Sequence, residues 1–301
     1  MEEQMGEFRG VVPALITPFN GEGALDESAY RKLMEYNIRE GVDGFWIAGG
    51  TGESVLLSEE EVIRIAQISA DQSNGRIKSI MHVGALTTKS AVWMAKAARD
   101  AGVDAISCVP PFFYRPKEKE IIEHYRAVAD AAGLPFFVYN QPKYTGVEIT
   151  PNLMQTIIEK VPYVAGVKHS APDFQNIRRF AKMGIDVFTG NGSLMLAGLA
   201  TGASGVVDGP LCFAPRLWVD SYNLFNNGDL QGAQALQEQG SQLIDLAGKY
   251  GMQATCKVLT EAWVGVSSGV PRAPLLPLTV EETQNLLREA EEIRRGRQTG
   301  M

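Results

Sequence analysis

The sequence predicts an α/β protein: a (β/α)8 TIM barrel with a C-terminal helical extension. Three features predict it. Short apolar runs rich in Val, Ile or Phe recur along the chain, each bounded by Gly, Pro or Asp. Stretches of helical spacing lie between them, and several of these stop on a glycine with the next run following at once. Short continuous apolar runs read as strands buried on both faces, and a succession of strand–helix units closes most simply into a parallel barrel.

The runs are Val11–Ile16, Gly44–Ala48, Ile77–Val83, Asp104–Val109, Leu134–Tyr139, Val164–Lys168, Asp186–Thr189 and Gly205–Asp208. Between them, Glu59–Ala70 sets Val62, Ile63, Ile65, Ala66 and Ile68 among Glu and Arg, the spacing of a helix with one apolar face. Helix ends repeat as well. Arg39-Glu40-Gly41-Val42-Asp43-Gly44 resembles Asp100-Ala101-Gly102-Val103-Asp104-Ala105, with looser versions at Gly133 and Gly202. In each, a glycine can take the left-handed conformation that ends a helix. An open doubly wound sheet is the alternative fold, but it needs a Gly-rich dinucleotide loop after its first strand. Here Thr17-Pro18-Phe19-Asn20 follows instead.

Past Asp208 roughly ninety residues remain, more than one closing helix needs. Val219–Asn226, Leu230–Tyr250, Gln253–Val264 and Val280–Arg295 have helical spacing. We therefore divide the chain into a barrel, residues 1–225, and a helical extension, residues 226–301. The charged stretch 281–297 reads as a solvated helix face with a frayed end.

Composition narrows the function. Of 301 residues, 45% are hydrophobic and 21% charged, and the net charge is −7 without a basic cluster, which argues against nucleic acid and anionic membranes as partners. A small anionic substrate remains compatible. Cys108, Cys212 and Cys256 are far apart and form no CxxC pair, which fits a reducing, cytoplasmic setting. Residues Met1 to Arg9 are polar and lack the apolar core of a secretion signal, and no apolar run is long enough to span a membrane.

In such a barrel the chemistry lies at the C-terminal ends of the strands. Lys168 closes a buried strand, where lysine is rare. It is either a snorkelling or ion-paired side chain, or an amine whose pKa burial lowers until it can attack a ketone carbon and form an imine. Tyr139 ends the preceding strand, close enough to pass protons to a substrate on Lys168. Gly49-Gly50-Thr51-Gly52-Glu53-Ser54 follows the second strand; its N–H groups, with Thr51, can form a nest for a carboxylate, while Glu53 reads as a structural hydrogen-bond partner. Gly190-Asn191-Gly192-Ser193 follows the seventh strand and is either a phosphate site or a plain capped helix start. Ser170-Ala171-Pro172-Asp173 reads as an N-capping box. His82 and His169 stand at strand ends, where each either lines the pocket or, as the favoured reading, fills a structural role; His124 reads as a surface residue, and Cys108 as a small buried hydrophobe. No metal-ligand spacing and no P-loop is present.

Taken in order, Gly49-Gly50-Thr51-Gly52-Glu53, Tyr139-Asn140-Gln141-Pro142 with Thr145-Gly146, and Gly166-Val167-Lys168 resemble the dihydrodipicolinate synthase / N-acetylneuraminate lyase family, from about Gly10 to Leu278. The resemblance implies a class I lyase with Lys168 as Schiff-base lysine, Tyr139 as proton carrier, and Gly50 and Thr51 binding the carboxylate of a 2-oxo acid. It also implies a homotetramer built as a dimer of dimers, with neither metal nor organic cofactor.

The departures bear on substrate. Gly50 and Phe113 stand where the synthase completes a proton relay, and Tyr144 stands where it has an arginine. Gly192 and Ser193 replace the acidic pair of the sialic acid lyases, although His82-Val83-Gly84 resembles those enzymes. Asn191-Gly192-Ser193 and the Tyr-Asn-x-Pro form are similar to archaeal-type 2-keto-3-deoxygluconate aldolases. The Gly49–Glu53 motif also resembles keto-deoxy-glucarate dehydratases, which lack Tyr-Asn-x-Pro. Asp208 occupies a place usually held by a small residue.

The expectation is an aldolase or lyase that releases pyruvate from, or adds it to, a 2-keto-3-deoxy sugar acid. Ser193 and Asp208 would touch its distal hydroxyls, and Gly190, Phe113 and Tyr144 would line the site. The alternatives are a dihydrodipicolinate synthase with an altered relay, a sialic acid lyase, a pyruvate-binding barrel without turnover, and a phosphate-binding barrel without Schiff-base chemistry.

Overall fold

The computed structural model describes residues 7–296. Met1–Gly6 and residues 297–301, which include the start of the polar N-terminus and the end of the charged stretch, lie outside the described residues. Eight parallel strands alternate with helices: β1 (Gly10–Val11), β2 (Gly44–Ile47), β3 (Lys78–His82), β4 (Ala105–Cys108), β5 (Phe136–Asn140), β6 (Val164–His169), β7 (Asp186–Thr189) and β8 (Gly205–Val206). Neighbours pair in the order β1-β8-β7-β6-β5-β4-β3-β2. A parallel bridge between Ala14 and Trp46 joins the two ends and closes the barrel.

The first strand is shorter than the apolar run suggests. Pro13 has no N–H to give and interrupts the ladder there. The chain still runs beside both neighbours: Val12 N–H donates to Val206 O at 3.0 Å, and Leu15 N–H to Trp46 O at 3.1 Å. The eighth run likewise ends as regular strand at Val206, although Val207 N–H still reaches Thr189 O at 2.9 Å.

Alternation along the strands divides the apolar residues into two cores. Val12, Trp46, Ile80, Phe137, Phe188 and Val207 pack inside the barrel, and Phe8 plugs its lower end, edge-on to Phe137 at 5.1 Å. Phe45, Ile47, Met81, Phe136, Val138 and Val167 point outward into the layer of helices. The same alternation turns His82, Tyr139 and Lys168 inward at the upper end.

Helices α1 (Glu27–Arg39), α2 (Glu59–Ser73), α3 (Thr88–Ala101) and α4 (Glu118–Ala132) follow the first four strands. A Ser58–Glu61 capping box starts α2, and the left-handed Gly102 (φ 88°) ends α3, as the repeated stop pattern predicts. His124 is not a surface residue. It lies on the buried face of α4 between Ile121 and Val128, with Nδ1 2.9 Å from Thr88 Oγ1 and Nε2 3.6 Å from Cys108 Sγ. Its position in the helical period, three after Ile121, puts it there. Cys108 is buried as expected.

Short α5 (Pro142–Thr145) and α6 (Pro151–Lys160) follow β5, and α7 (Gln175–Ala181) follows β6. The capping box expected at Ser170–Asp173 does not form. Phe174 precedes α7 with no side-chain cap, and Asp173 Oδ1 accepts from Gln175 N–H at 3.1 Å. The His169 ring holds the Asp173 carbonyl at 2.9 Å, and the Ser170 side chain turns toward Gly190 instead.

Helix α8 (Met195–Ala200) follows β7 and α9 (Pro215–Asn226) follows β8. Then come α10 (Leu230–Tyr250), α11 (Met252–Leu259), which continues as a π-turn over Thr260–Val264, and α12 (Val280–Arg294). No described helix is long and apolar enough to cross a membrane. Between α11 and α12 the chain returns to the loop after β2, where Arg272 donates to Glu53, Leu56 and Glu61. The extension therefore builds part of the barrel's upper face.

Candidate active site

Lys168 projects from β6 into the barrel mouth and is 4% exposed. Its strand register sets it beside Tyr139 of β5 and Phe188 of β7. The amine nitrogen lies 4.5 Å from the Tyr139 ring centroid and 4.9 Å from that of Trp46. Among the described residues no acceptor hydrogen-bonds it and no carboxylate pairs with it. Burial pulls its pKa down to about 7, against a weaker upward pull from the negative charge of Asp208. Of the two readings open from sequence, the ion-paired lysine has no partner here.

Burial pushes the Tyr139 phenol up to about 12, so it rests protonated. The His82 ring meets the Tyr139 ring edge-on at 5.8 Å. Burial, and then the nearby Lys168 charge, lower the His82 pKa to about 4, so it is neutral at pH 7. Trp46 Nε1 and His82 Nε2 are buried here without a partner, and Gln141 and Ser170 approach the Tyr139 hydroxyl. Unsatisfied buried polar atoms are uncommon and tend to mark functional sites. His169, by contrast, has partners on both ring nitrogens, Asn140 Nδ2 at 3.1 Å and Asp173 O at 2.9 Å, the structural role expected of it.

The loop after β2 is held by its carbonyls and by one side chain. Gln253 Nε2 donates to Gly50 O at 3.0 Å, and Thr17 Oγ1 to Gly52 O at 2.8 Å. Glu53, in the left-handed region at φ 63°, is buried, pairs with Lys257 Nζ at 3.2 Å and accepts from Arg272 N–H at 2.7 Å. Glu53 is thus structural, as read from sequence. Among the described residues nothing accepts from the N–H of Gly50 or Thr51. Two free amide donors on a clamped loop suit a carboxylate.

On the opposite side, a side chain at Gly190 would collide with Ser170 Oγ, which accounts for that glycine. Asn191 Oδ1 caps Ser193 N–H at 3.1 Å. The Asp208 carboxylate accepts from Gly192 N–H at 2.8 Å and from Gly209 N–H at 2.7 Å. An acid already occupies this turn, so the geometry favours the capped start over a phosphate site.

A cleft of about 360 Å³ opens above these residues. Gly50, His82 and Tyr139 lie in it, and Tyr144 stands at its exposed rim. Lys168 sits behind Tyr139 and does not itself line the cleft. Nor do Gly190, Ser193, Asp208 or Thr51; Thr51 is buried with its hydroxyl against Gly209. Phe113 is 82% exposed, with φ 76°, and stacks edge-on with Tyr114 outside the cleft. Phe112 occupies the wall instead.

Sequence reasoning missed the extension's share of the site: Gln253, Lys257, Pro274 and Leu275. A signal existed for Lys257. It interrupts the buried run Ala254, Thr255, Cys256 and Leu259, where an unpaired lysine would be costly.

Comparison with known proteins agrees with this geometry. The model of the dihydrodipicolinate synthetase family matches residues 7–293. An N-acetylneuraminate lyase of Escherichia fergusonii is 34% identical over 274 residues, covering 90% of this chain and 92% of that one. A catalytic-lysine mutant of the Ruminococcus gnavus sialic acid aldolase superposes with a TM-score of 0.92 at 27% identity, covering 96% of each chain. A prophage protein of the dihydrodipicolinic acid synthase family from Escherichia coli K12, solved in complex with pyruvate, gives 0.89 at 25% identity, covering 96% of this chain and 99% of that one. With eight strands, a lone amine in the barrel mouth and a family match over nearly its whole length, the chain belongs to the dihydrodipicolinate synthetase family and is a lyase.

Proposed function

We propose that this lyase is a class I aldolase that holds pyruvate, or the pyruvate half of a larger 2-oxo acid, as an imine on Lys168. The observation that carries the reading is the Lys168 amine, buried without a hydrogen-bond acceptor and with a pKa near 7. An amine with its pKa lowered this far is partly neutral at pH 7 and can attack a carbonyl.

The steps follow from the groups in reach. The substrate carboxylate accepts from the free N–H groups of Gly50 and Thr51, which sets the keto carbon toward Lys168. The amine adds to that carbon, the Tyr139 hydroxyl relays the protons, and water leaves as the imine forms. The protonated imine draws electrons from the adjacent C3. Having given its own proton to the departing water, Tyr139 as phenolate takes the C4 hydroxyl proton in cleavage while the C3–C4 bond breaks, an aldehyde departs, and C3 is left as an enamine. Protonation of C3 and hydrolysis then release pyruvate and restore the amine. Synthesis runs the same steps backward. With Gly50 in place of a hydroxyl side chain, the relay beyond Tyr139 falls to its polar neighbours Gln141 and Ser170.

The pyruvate complex of the Escherichia coli relative supports the donor, and the named lyases support the reaction type. Ser193 and Asp208, expected on the distal hydroxyls of a sugar acid, receive no support from their placement outside the cleft. We read Asp208 as the anchor of the Gly192 turn and Tyr144 as a rim residue. The barrel through residue 225 and the extension from 226 work as one unit in this reading, since Gln253 holds Gly50 O. A homotetramer is consistent with the exposed aromatic pair Phe113 and Tyr114, and a cytoplasmic setting with three free cysteines.

Borohydride reduction in the presence of pyruvate tests the reading. The expected result is a reduced pyruvate adduct on the Lys168 peptide and none in Lys168→Ala. Folded protein that gives no adduct with excess pyruvate would overturn it.

A further inference from the structure

We infer that the aldehyde partner of this site is apolar, of the aromatic class, rather than a sugar or other polyhydroxylated aldehyde. The inference rests on the Schiff-base reading above and adds the chemical class of the second substrate.

The cleft of about 360 Å³ has room beyond a three-carbon acid, and its walls decide what can fill that room. Val55, Leu56, Val109, Phe112, Pro274 and Leu275 form a continuous apolar share of them. Among the described residues no Lys, Arg or Asp lines the cleft, and Glu53 is the only carboxylate there. Glu53 is spent on Lys257 and on Arg272 N–H. Of the neutral polar groups, His82, Gln141 and Tyr139 lie around the reacting carbon in the mechanism above, Thr145 Oγ1 and Gln253 Nε2 are engaged with backbone carbonyls, and Ser54 and Tyr144 add one hydroxyl each. An aldehyde carrying several hydroxyls would strip them of water against aliphatic and aromatic side chains, leaving them without partners. An aromatic ring loses nothing polar there and gains contact with Phe112 and with Tyr144 at the rim.

The turn after β7 is taken up by its own contacts. Asn191 Oδ1 holds Ser193 N–H, and both Asp208 oxygens hold backbone amides. The space at Gly190 is taken by Ser170 Oγ.

The reaction balances without an oxidant or a cofactor. Pyruvate and the Lys168 amine give the imine and water. Loss of a C3 proton gives the enamine, whose C3 forms a bond to the aldehyde carbon while the aldehyde oxygen takes a proton through Tyr139. Water then hydrolyses the imine. With benzaldehyde the product is 4-hydroxy-2-oxo-4-phenylbutanoate, and the same steps in reverse cleave it.

The test pairs trapping with an acceptor comparison on the full chain. Borohydride trapping with pyruvate is run first. Pyruvate is then supplied with benzaldehyde, D-glyceraldehyde or D-erythrose at equal concentration, and the 4-hydroxy-2-oxo acid is followed by mass spectrometry. The expected result is an adduct on Lys168 and an initial rate with benzaldehyde at least tenfold above either hydroxylated aldehyde. Phe112→Asn should shrink that ratio at least tenfold. An adduct on Lys168 with the hydroxylated aldehydes equal or faster would overturn the apolar acceptor and leave the Schiff-base reading standing. Absence of any adduct would overturn that reading and this one with it.

Discussion

Two of the described lysines are buried, one in the barrel and one in the extension, and they are provided for in opposite ways. Lys257 is 1% exposed, yet its ammonium donates to Thr17 O at 2.7 Å and Ser268 O at 3.2 Å, pairs with Glu53 at 3.2 Å, and lies 4.2 Å from the Phe19 ring centroid. Lys168 is buried almost as deeply and has only the faces of Trp46 and Tyr139. Both are desolvated, and burial lowers the pKa of both, but at Lys257 the Glu53 charge and hydrogen bond offset the loss. One lysine is kept charged to hold a loop; the other is left without partners and can react. Burial alone therefore does not separate the two; the absence of an acceptor is what leads us to propose Lys168 as the reactive amine.

Substitutions around each lysine sharpen the comparison. The largest effect belongs to Tyr139→Phe. This variant keeps the Lys168 amine and its surroundings but removes the proton carrier, so turnover should fall by about 10²–10⁴-fold while borohydride still traps pyruvate on Lys168. Equal loss of trapping and turnover would mean that the tyrosine serves imine formation alone.

Next comes Lys257→Met, which leaves the Glu53 carboxylate buried beside Arg272 N–H with its counter-charge gone. Removing one partner of a buried pair costs about 3–5 kcal/mol, readable as a lower denaturant midpoint. A midpoint equal to the wild type would show that the pair contributes nothing and would erase the contrast.

Lys168→Met should act in the opposite direction. Unfolded, this lysine keeps its proton up to its ordinary value of 10.5; folded, it gives the proton up near 7. The unfolded chain therefore binds more protons between those values, and the lysine's contribution to stability rises with pH across that window. Below it, the charged amine is a net cost to the fold. Methionine, of similar length, removes that cost and should stabilise the protein at pH 7 by about 1–2 kcal/mol while abolishing activity. A destabilised Lys168→Met would mean that the native amine has a partner after all.

The barrel was legible from sequence because strand runs buried on both faces and glycine helix stops are local patterns. The placement of Lys168 and Tyr139 side by side at the barrel mouth was legible because a strand end in such a barrel is a place with a known orientation. What sequence missed depends on contacts between distant segments. Glu53 and Lys257 are some two hundred residues apart, and Gln253 reaches Gly50 O over a similar span. His124 was misplaced because one polar residue on an apolar face looks exposed until Thr88 and Cys108 arrive beside it. The Ser170–Asp173 segment was read as a cap from local chemistry, and a tertiary contact from His169 overrode it. Phe113 stands where the resemblance places a relay residue and is exposed on the loop after β4, while its neighbour Phe112 faces the cleft.

The most direct test of the central claim compares the two lysines in one experiment. Pyruvate adducts are trapped with cyanoborohydride at a series of pH values and quantified peptide by peptide. The account predicts that the initial trapping rate at Lys168 rises with pH up to about 7 and then levels, while Lys257 stays unlabelled throughout. A Lys168 rate still climbing toward pH 10, or an adduct on Lys257, would contradict it.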